Sequence, residues 1–211
     1  MTPIITLEGI DGSGKSTICN MIKEKLKNND KILISKFPND KYEVEIKKIL
    51  QTNESESSNF EVSKKLVKLF LDNFEYYSKN IMDKYDLCIF DRYIMSYFAY
   101  QSMNLSREYV IEEFKKRDIR IPDLVIHLDI KPTKSMDRLV GSGRKESDKF
   151  FENIGSLMKI DNNYRYFYFR NKEAFYKTLC DFDVDDLSIE EVYKKVVTTI
   201  GTVKDVDFTK L

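Results

Sequence analysis

Short unbroken apolar runs and stretches of helical spacing follow one another along this chain from one end to the other. Ile4 to Leu7 is an apolar run that meets a Gly-rich turn, Gly9 to Gly14, after which Ile18, Met21, Ile22 and Leu26 keep helical spacing. The turn therefore joins a buried strand to a helix. Lys31 to Phe37 predicts a second strand, stopped by Phe37-Pro38-Asn39-Asp40. Val44, Ile46, Ile49 and Leu50 predict a short helix, followed by a polar loop from Thr52 to Asn59. From Phe60 to Ile81, the spacing of Val62, Leu66, Leu69, Phe70, Phe74 and Tyr77 marks a long amphipathic helix.

Leu87 to Phe90 predicts a third strand ending in Asp91-Arg92, and its apolar continuity fits a parallel strand covered on both faces. A helix over Ser106 to Lys116 and a fourth strand over Leu124 to Leu128 come next. Helical periodicity from Thr133 to Leu139 breaks in Gly141-Ser142-Gly143-Arg144-Lys145, a small, polar, cationic stretch suited to a moving loop. Phe151 to Thr178 is mostly helical and aromatic, Leu179 to Val184 predicts a last strand, and Ser188-Ile189-Glu190-Glu191 is a capping box opening the helix Val192 to Ile200. Strands alternating with helices in this way imply an α/β fold with a five-stranded parallel sheet and helices on both faces, because each parallel crossover needs an intervening segment. One domain over residues 1–211 is expected, with a mobile lid at about 140–150. Ligands in such folds sit beyond the carboxyl ends of the strands, where the Gly turn, Phe37-Pro38 and Asp91-Arg92 all fall.

Composition narrows the partners. Lys plus Arg and Asp plus Glu are each 35 in 211 residues, so the formal charge is zero, which argues against nucleic acid or an anionic membrane as partner. Any anion must be held by a local site. No apolar run approaches the roughly 20 residues needed to span a bilayer, and the N-terminus shows no signal-peptide pattern. The expected compartment is the cytoplasm, a host's cytoplasm if the source is viral. Cys19, Cys88 and Cys180 have no metal or redox spacing and read as small core residues in a reducing compartment.

The local anion site is explicit. Gly9-Ile10-Asp11-Gly12-Ser13-Gly14-Lys15-Ser16 matches G-x-x-x-x-G-K-[ST] between a strand and a helix, with Thr17 following. In such a P-loop the glycines let backbone N–H groups face phosphate oxygens, and the helix N-terminus adds a positive dipole. Lys15 is expected on the β- and γ-phosphates and the Ser16 hydroxyl on Mg²⁺, with ATP as the nucleotide. Asp91, ending an apolar strand, is the second expected Mg²⁺ partner, and Arg92 beside it can stabilise charge on transferring phosphates. No Asp-x-x-Gly follows the P-loop, the one match being Asp11-Gly12-Ser13-Gly14 within the loop itself, and Asn171-Lys172-Glu173-Ala174 fails the base-reading pattern of GTPase switches at its last position. A small kinase that passes phosphate from ATP to a small acceptor remains. The single histidine, His127, lies inside an apolar strand and reads as structural.

Glu8-Gly9-Ile10-Asp11-Gly12-Ser13-Gly14-Lys15-Ser16-Thr17, Phe37-Pro38, and Asp91-Arg92-Tyr93 with Ser96 and Ala99-Tyr100-Gln101 together resemble the thymidylate kinase family, which converts dTMP to dTDP. The order and spacing of these blocks match along essentially the whole chain, through Leu128-Asp129-Ile130-Lys131-Pro132 to the final Ser188-Ile189-Glu190-Glu191-Val192 helix. The resemblance implies the P-loop kinase fold, a homodimer with the helix 60–80 or the helix after Tyr93 as contact, and a set of site residues. Asp11 would contact the acceptor sugar or its phosphate surroundings, Arg92 would bridge donor and acceptor phosphates, and Tyr100 would favour deoxynucleotides. Phe70 would stack on the base. Phe37, Phe74, Ser96 and Gln101 complete the acceptor side, and Arg144, with Lys145 and Lys149, would stand where the family's lid closes over ATP.

The chain departs from that family at two positions that bear on the acceptor. The family usually has an Arg four residues after the stacking Phe, to hydrogen-bond thymine; here that residue is Phe74. One branch has an Arg two residues after Phe-Pro, holding the acceptor phosphate; here it is Asp40. Lys36, Lys41 and Arg165 are candidate replacements for the missing charge, and Tyr97 adds bulk to the base-facing stretch. The alternatives left open are a deoxynucleoside kinase, a broader deoxynucleoside monophosphate kinase, and an ATP-binding partner protein with a dead site.

Overall fold

The computed structural model describes residues 1–52, 60–141, 153–170 and 172–203. Arg144, Lys145 and Lys149, with the lid expected over them, lie outside the described residues, as do the side chains of Asp40 and Lys41. Five strands, β1 (Ile4–Glu8), β2 (Ile32–Lys36), β3 (Leu87–Asp91), β4 (Leu124–Asp129) and β5 (Thr178–Asp183), form one sheet in the order β2-β3-β1-β4-β5. Every neighbouring pair is parallel. β1 and β3 are buried at each position, as apolar strands covered on both faces must be.

The helices are α1 (Lys15–Lys25), α2 (Asp40–Thr52), α3 (Phe60–Asn80), α4 (Ile94–Gln101), α5 (Arg107–Lys115), α6 (Pro132–Gly141), α7 (Ile154–Arg170), α8 (Lys172–Phe175) and α9 (Ile189–Ile200). Packing pairs α1 with α9 and α4 with α7 and α3. Phe37, Phe74, Phe90 and Tyr93 interlock, with Phe37 to Phe90 and Phe74 to Tyr93 ring centroids both 4.8 Å apart. Farther along α4, Phe98 meets Phe167 at 4.9 Å and Phe175 at 4.3 Å. Ser188 caps α9 as its sequence predicts: its hydroxyl accepts the Glu191 N–H while the Glu191 carboxylate accepts the Ser188 N–H at 2.8 Å.

Hydrogen bonding continues one residue beyond the strands and sets the site. The Arg92 N–H donates to the Leu7 carbonyl at 3.0 Å, and the Phe37 N–H donates to the Asp91 carbonyl at 3.0 Å. These two bonds bring the end of β2, the end of β3 and the Gly turn after β1 to one edge of the sheet. Among the described residues, no helix is long and apolar enough to cross a membrane.

Candidate active site

The turn between β1 and α1 is built on glycines that no other residue could replace without movement. Gly9 has φ 140°, and a Cβ there would lie 2.6 Å from the Leu128 carbonyl oxygen. Gly14 has φ 100° and precedes α1 without any side-chain cap, so the first amides of that helix are left to an anion. Lys15 is 4% exposed; its ammonium donates to the Ile10 carbonyl at 2.7 Å and to Ser13 Oγ at 3.0 Å, folding the side chain back along the turn. Burial, and then the neighbouring Arg92 charge, bring the Lys15 pKa down to about 7, against the opposing pull of Asp11 and Asp91. Ile10 is buried beneath the turn, while Ser16 and Thr17 are exposed at its mouth.

Asp91 ends β3 directly opposite. Its Oδ2 accepts the Ser16 hydroxyl at 2.5 Å, while its Oδ1 is buried and has no hydrogen-bond partner among the described residues. An orphaned carboxylate oxygen beside a serine hydroxyl fits a hydrated divalent cation. No group of three or more His, Cys, Asp or Glu gathers anywhere among the described residues, and a hard cation held by one or two side chains commonly completes its shell with water and ligand oxygens.

Arg92 is the sole non-glycine with positive φ, 69°, among the described residues. Its guanidinium donates to the Gly9 carbonyl at 3.2 Å, to Ser96 Oγ at 3.3 Å and to Asp11 Oδ1 at 2.6 Å, and stands 4.9 Å from the Tyr100 ring centroid. The Tyr100 hydroxyl donates to the other Asp11 oxygen at 2.6 Å. Burial opposes the Arg92 charge, but Tyr100 and Asp11 outweigh it and hold its pKa well above the ordinary value. The guanidinium is thus fixed between the phosphate turn and a neighbouring cavity.

That cavity, about 210 Å³, is lined by Asp11, Arg92, Ser96, Tyr100 and Gln101 and by the aromatic Phe37, Phe70, Phe74 and Tyr97, together with the exposed Lys36 and Asn104. An apolar wall with a few convergent polar groups is the usual form of a small-ligand site. The acceptor residues expected from the sequence, Asp11, Phe37, Phe70, Phe74, Arg92, Ser96, Tyr100 and Gln101, all line it. Phe37 and Phe74 are 1% exposed and serve it as packed wall, whereas Phe70 is half-buried and presents its ring.

Of the candidate replacement cations, Lys36 lines the cavity and sits 3.6 Å from Glu43. Arg165 does not line it: its guanidinium is engaged by Asp129 at 3.0 Å and Asp161 at 3.0 Å. His127 is buried with Nδ1 2.9 Å from Asp181 Oδ1, consistent with a structural part. Two residues were given no role by the sequence, Glu8 having been quoted only at the head of the Gly-turn block and Tyr164 not at all. Glu8, fully buried at the end of β1, accepts from the first turn of α4, and Tyr164 of α7 places its hydroxyl 3.2 Å from the Gly9 carbonyl. Burial raises the Glu8 carboxyl pKa, with the Ser96 hydroxyl and the Arg92 charge opposing. The legible signal for Glu8 was a carboxylate ending an apolar strand, a group that must find donors; for Tyr164 there was none.

Comparison with known proteins gives a consistent result. A family model described as thymidylate kinase matches residues 7–193. A thymidylate kinase of Leptospira borgpetersenii is 34% identical over 180 residues, covering 76% of this chain and 78% of the relative. A probable thymidylate kinase of Sulfolobus acidocaldarius is 35% identical over 167 residues, covering 76% and 80%. Among solved structures, the thymidylate kinase of Candida albicans superposes with a TM-score of 0.73 at 22% identity, covering 95% of this chain and 92% of that one, a likeness of fold.

Proposed function

The chain belongs to the thymidylate kinase family, and we propose on that premise that it transfers the γ-phosphoryl group of ATP to dTMP, giving dTDP, at the junction of the Gly turn and the cavity. The observation that carries this reading is Arg92, whose guanidinium touches the Gly9 carbonyl of the turn and lines the cavity. A fork in that position can contact a donor phosphate and an acceptor phosphate together.

ATP is proposed to place its phosphates on Gly9, Ile10, Asp11, Gly12, Ser13 and Gly14, with Lys15, Ser16 and Thr17 at the start of α1. Mg²⁺ would be held by Ser16 and Asp91, and when bound it supplies charge neutralisation on the phosphates. The acceptor dTMP is proposed to put its base against Phe70, its sugar beside Tyr100 and its phosphate beside Arg92. Asp11 orients both Arg92 and Tyr100. Because Phe74 is packed between Phe37 and Tyr93 at 5.1 Å and 4.8 Å, no guanidinium stands at that point of the wall. Reading of the base edge falls to Gln101 and Asn104, with Lys36 supplying charge. A phosphate monoester needs no general base to act as nucleophile, which accords with His127 lying outside the cavity lining. Positioning and charge stabilisation by Lys15, Arg92 and the segment of Arg144 then carry the reaction.

The proposal extends to one nucleotide-kinase domain acting in the cytoplasm as a homodimer. Of the two contact helices expected, α4 is buried over most of its length within a single chain, which leaves α3, where Phe60 and Tyr76 are exposed.

ADP formation measured with ATP, Mg²⁺ and each of dTMP, dUMP, dGMP, dCMP, UMP and thymidine tests the reading. The fastest turnover is expected with dTMP and none with thymidine, and Lys15→Ala should abolish it while leaving the protein folded. Fast turnover of another monophosphate without dTMP would overturn the acceptor; turnover of thymidine would make the protein a nucleoside kinase. ATP binding without turnover of any acceptor would make it a dead site.

A further inference from the structure

A helix that begins beside a transferring phosphate must have its first amides satisfied, yet α4 carries no cap of its own. Tyr93, its N-cap residue, makes no side-chain cap hydrogen bond. The missing acceptor comes from another element. Glu8 Oε1 accepts the Tyr93 N–H at 2.8 Å, and Oε2 accepts the Ser96 N–H at 3.1 Å. These are the N-cap and N3 amides, the same pair that two side chains share in an ordinary capping box. Here one carboxylate, fully buried at the end of β1, takes both.

The same carboxylate reaches Arg92 by two routes. Through the backbone, the Arg92 N–H is held on the Leu7 carbonyl at 3.0 Å, and the next N–H, that of Tyr93, is held on Glu8. The end of β1 therefore grips the chain on both sides of the one described non-glycine residue at positive φ, a strained conformation that persists only when its surroundings enforce it. Through the side chains, Ser96 Oγ donates to Glu8 Oε2 and accepts from the Arg92 guanidinium at 3.3 Å. Tyr164 closes the network, its hydroxyl 2.7 Å from Ser96 Oγ and 3.3 Å from Glu8 Oε2.

We infer that Glu8 is a positioning residue for phosphoryl transfer: its carboxylate caps α4 in trans and thereby fixes both the backbone and the guanidinium of Arg92. The inference rests on the proposed role of Arg92 at the two phosphates. The function of β1 is then twofold, since its last side chain sets the arginine while its last backbone atoms lead into the phosphate turn.

A double-mutant cycle separates positioning from general structure, because a residue acting through Arg92 has nothing left to position once Arg92 is gone. Glu8→Gln keeps the shape but puts an NH₂ group against donors. It is expected to lower kcat at least 30-fold in the unaltered background and less than threefold in Arg92→Ala, measured by single turnover, with ATP affinity unchanged within threefold. Equal losses in both backgrounds, or a loss under threefold in the unaltered one, would overturn the inference. If Glu8→Gln does not fold, Ser96→Ala in the same two backgrounds breaks the hydroxyl link and is read by the same criterion. Amide hydrogen exchange provides a readout without activity: Tyr93 or Ser96 should exchange at least tenfold faster in Glu8→Gln, and unchanged rates overturn the cap. Should the unaltered protein not phosphorylate dTMP, the proposed function fails by that result, while the exchange rates still decide whether Glu8 caps α4.

Discussion

Phe70 and Phe74 lie one helical turn apart on α3, and their rings are 6.3 Å apart, yet burial gives them different work. Phe74 is 1% exposed and meets Phe37, Tyr93 and Tyr97, so it belongs to the core even where it touches the cavity. Phe70 is half-buried and faces the cavity with Tyr97 at 6.4 Å. Phe74→Ala should therefore cost about 3–5 kcal/mol of unfolding free energy in a denaturant titration. Phe70→Ala should cost much less stability. Its effect should fall on the KM for dTMP, raised roughly 5- to 150-fold if base stacking is worth about 1–3 kcal/mol. Equal stability losses with unchanged KM values would remove Phe70 from the base site.

Among the helices, an amphipathic face or a cap made an element legible and burial all round hid it. The amphipathic period of α3 and the capping box of α9 gave both helices from sequence, to within a residue or two at α3. The contrast is α4, where Ile94, Met95, Ser96, Tyr97, Phe98 and Ala99 are all buried, so no polar face marks a period. Its role was readable only from the block Asp91-Arg92-Tyr93 with Ser96 and Ala99-Tyr100-Gln101, a motif and not a periodicity. The same reasoning explains the site. Lys15, Ser16 and Asp91 are fixed by local spacing and strand ends, whereas the partners of Glu8 and Tyr164, namely Ser96 and the Gly9 carbonyl, lie 88 and 155 positions away, and no local pattern names them. The α9 cap offers a check of how far local signals carry energy. Ser188→Ala removes the acceptor of the Glu191 N–H and should cost about 1 kcal/mol, seen as a fall in Tm of roughly 2–4 °C. An unchanged Tm would mean that packing of Val192, Val196 and Ile200 alone holds that helix.

Taken as a whole, a chain of zero net charge has no general pull on anions, so its affinity for a triphosphate must come from cations held against their own desolvation. Lys15 is where that tension shows. Its pKa is lowered to about 7 by burial, so the folded protein binds fewer protons than the unfolded chain between about pH 7 and the ordinary lysine pKa of 10.5. The Lys15 contribution to stability is therefore most unfavourable below pH 7 and is relieved as pH rises through that window. A triphosphate placed on the turn restores the charged form, because an anion beside an ammonium favours its protonation. Binding of Mg²⁺ and ATP at pH 8.5 should then take up close to one proton, and almost none at pH 6 from this group. Calorimetry in buffers of different ionisation enthalpy measures that number directly. Lys15→Met should abolish the uptake at pH 8.5, and should stabilise the free protein most below pH 7, with the advantage fading towards pH 10.5. Proton uptake that persists in Lys15→Met would place the coupling on another group and leave Lys15 charged throughout. Uptake lost with the lysine would show that the fold keeps this ammonium underprotonated until the phosphates arrive, so that part of the binding free energy is spent on charging the group that holds them.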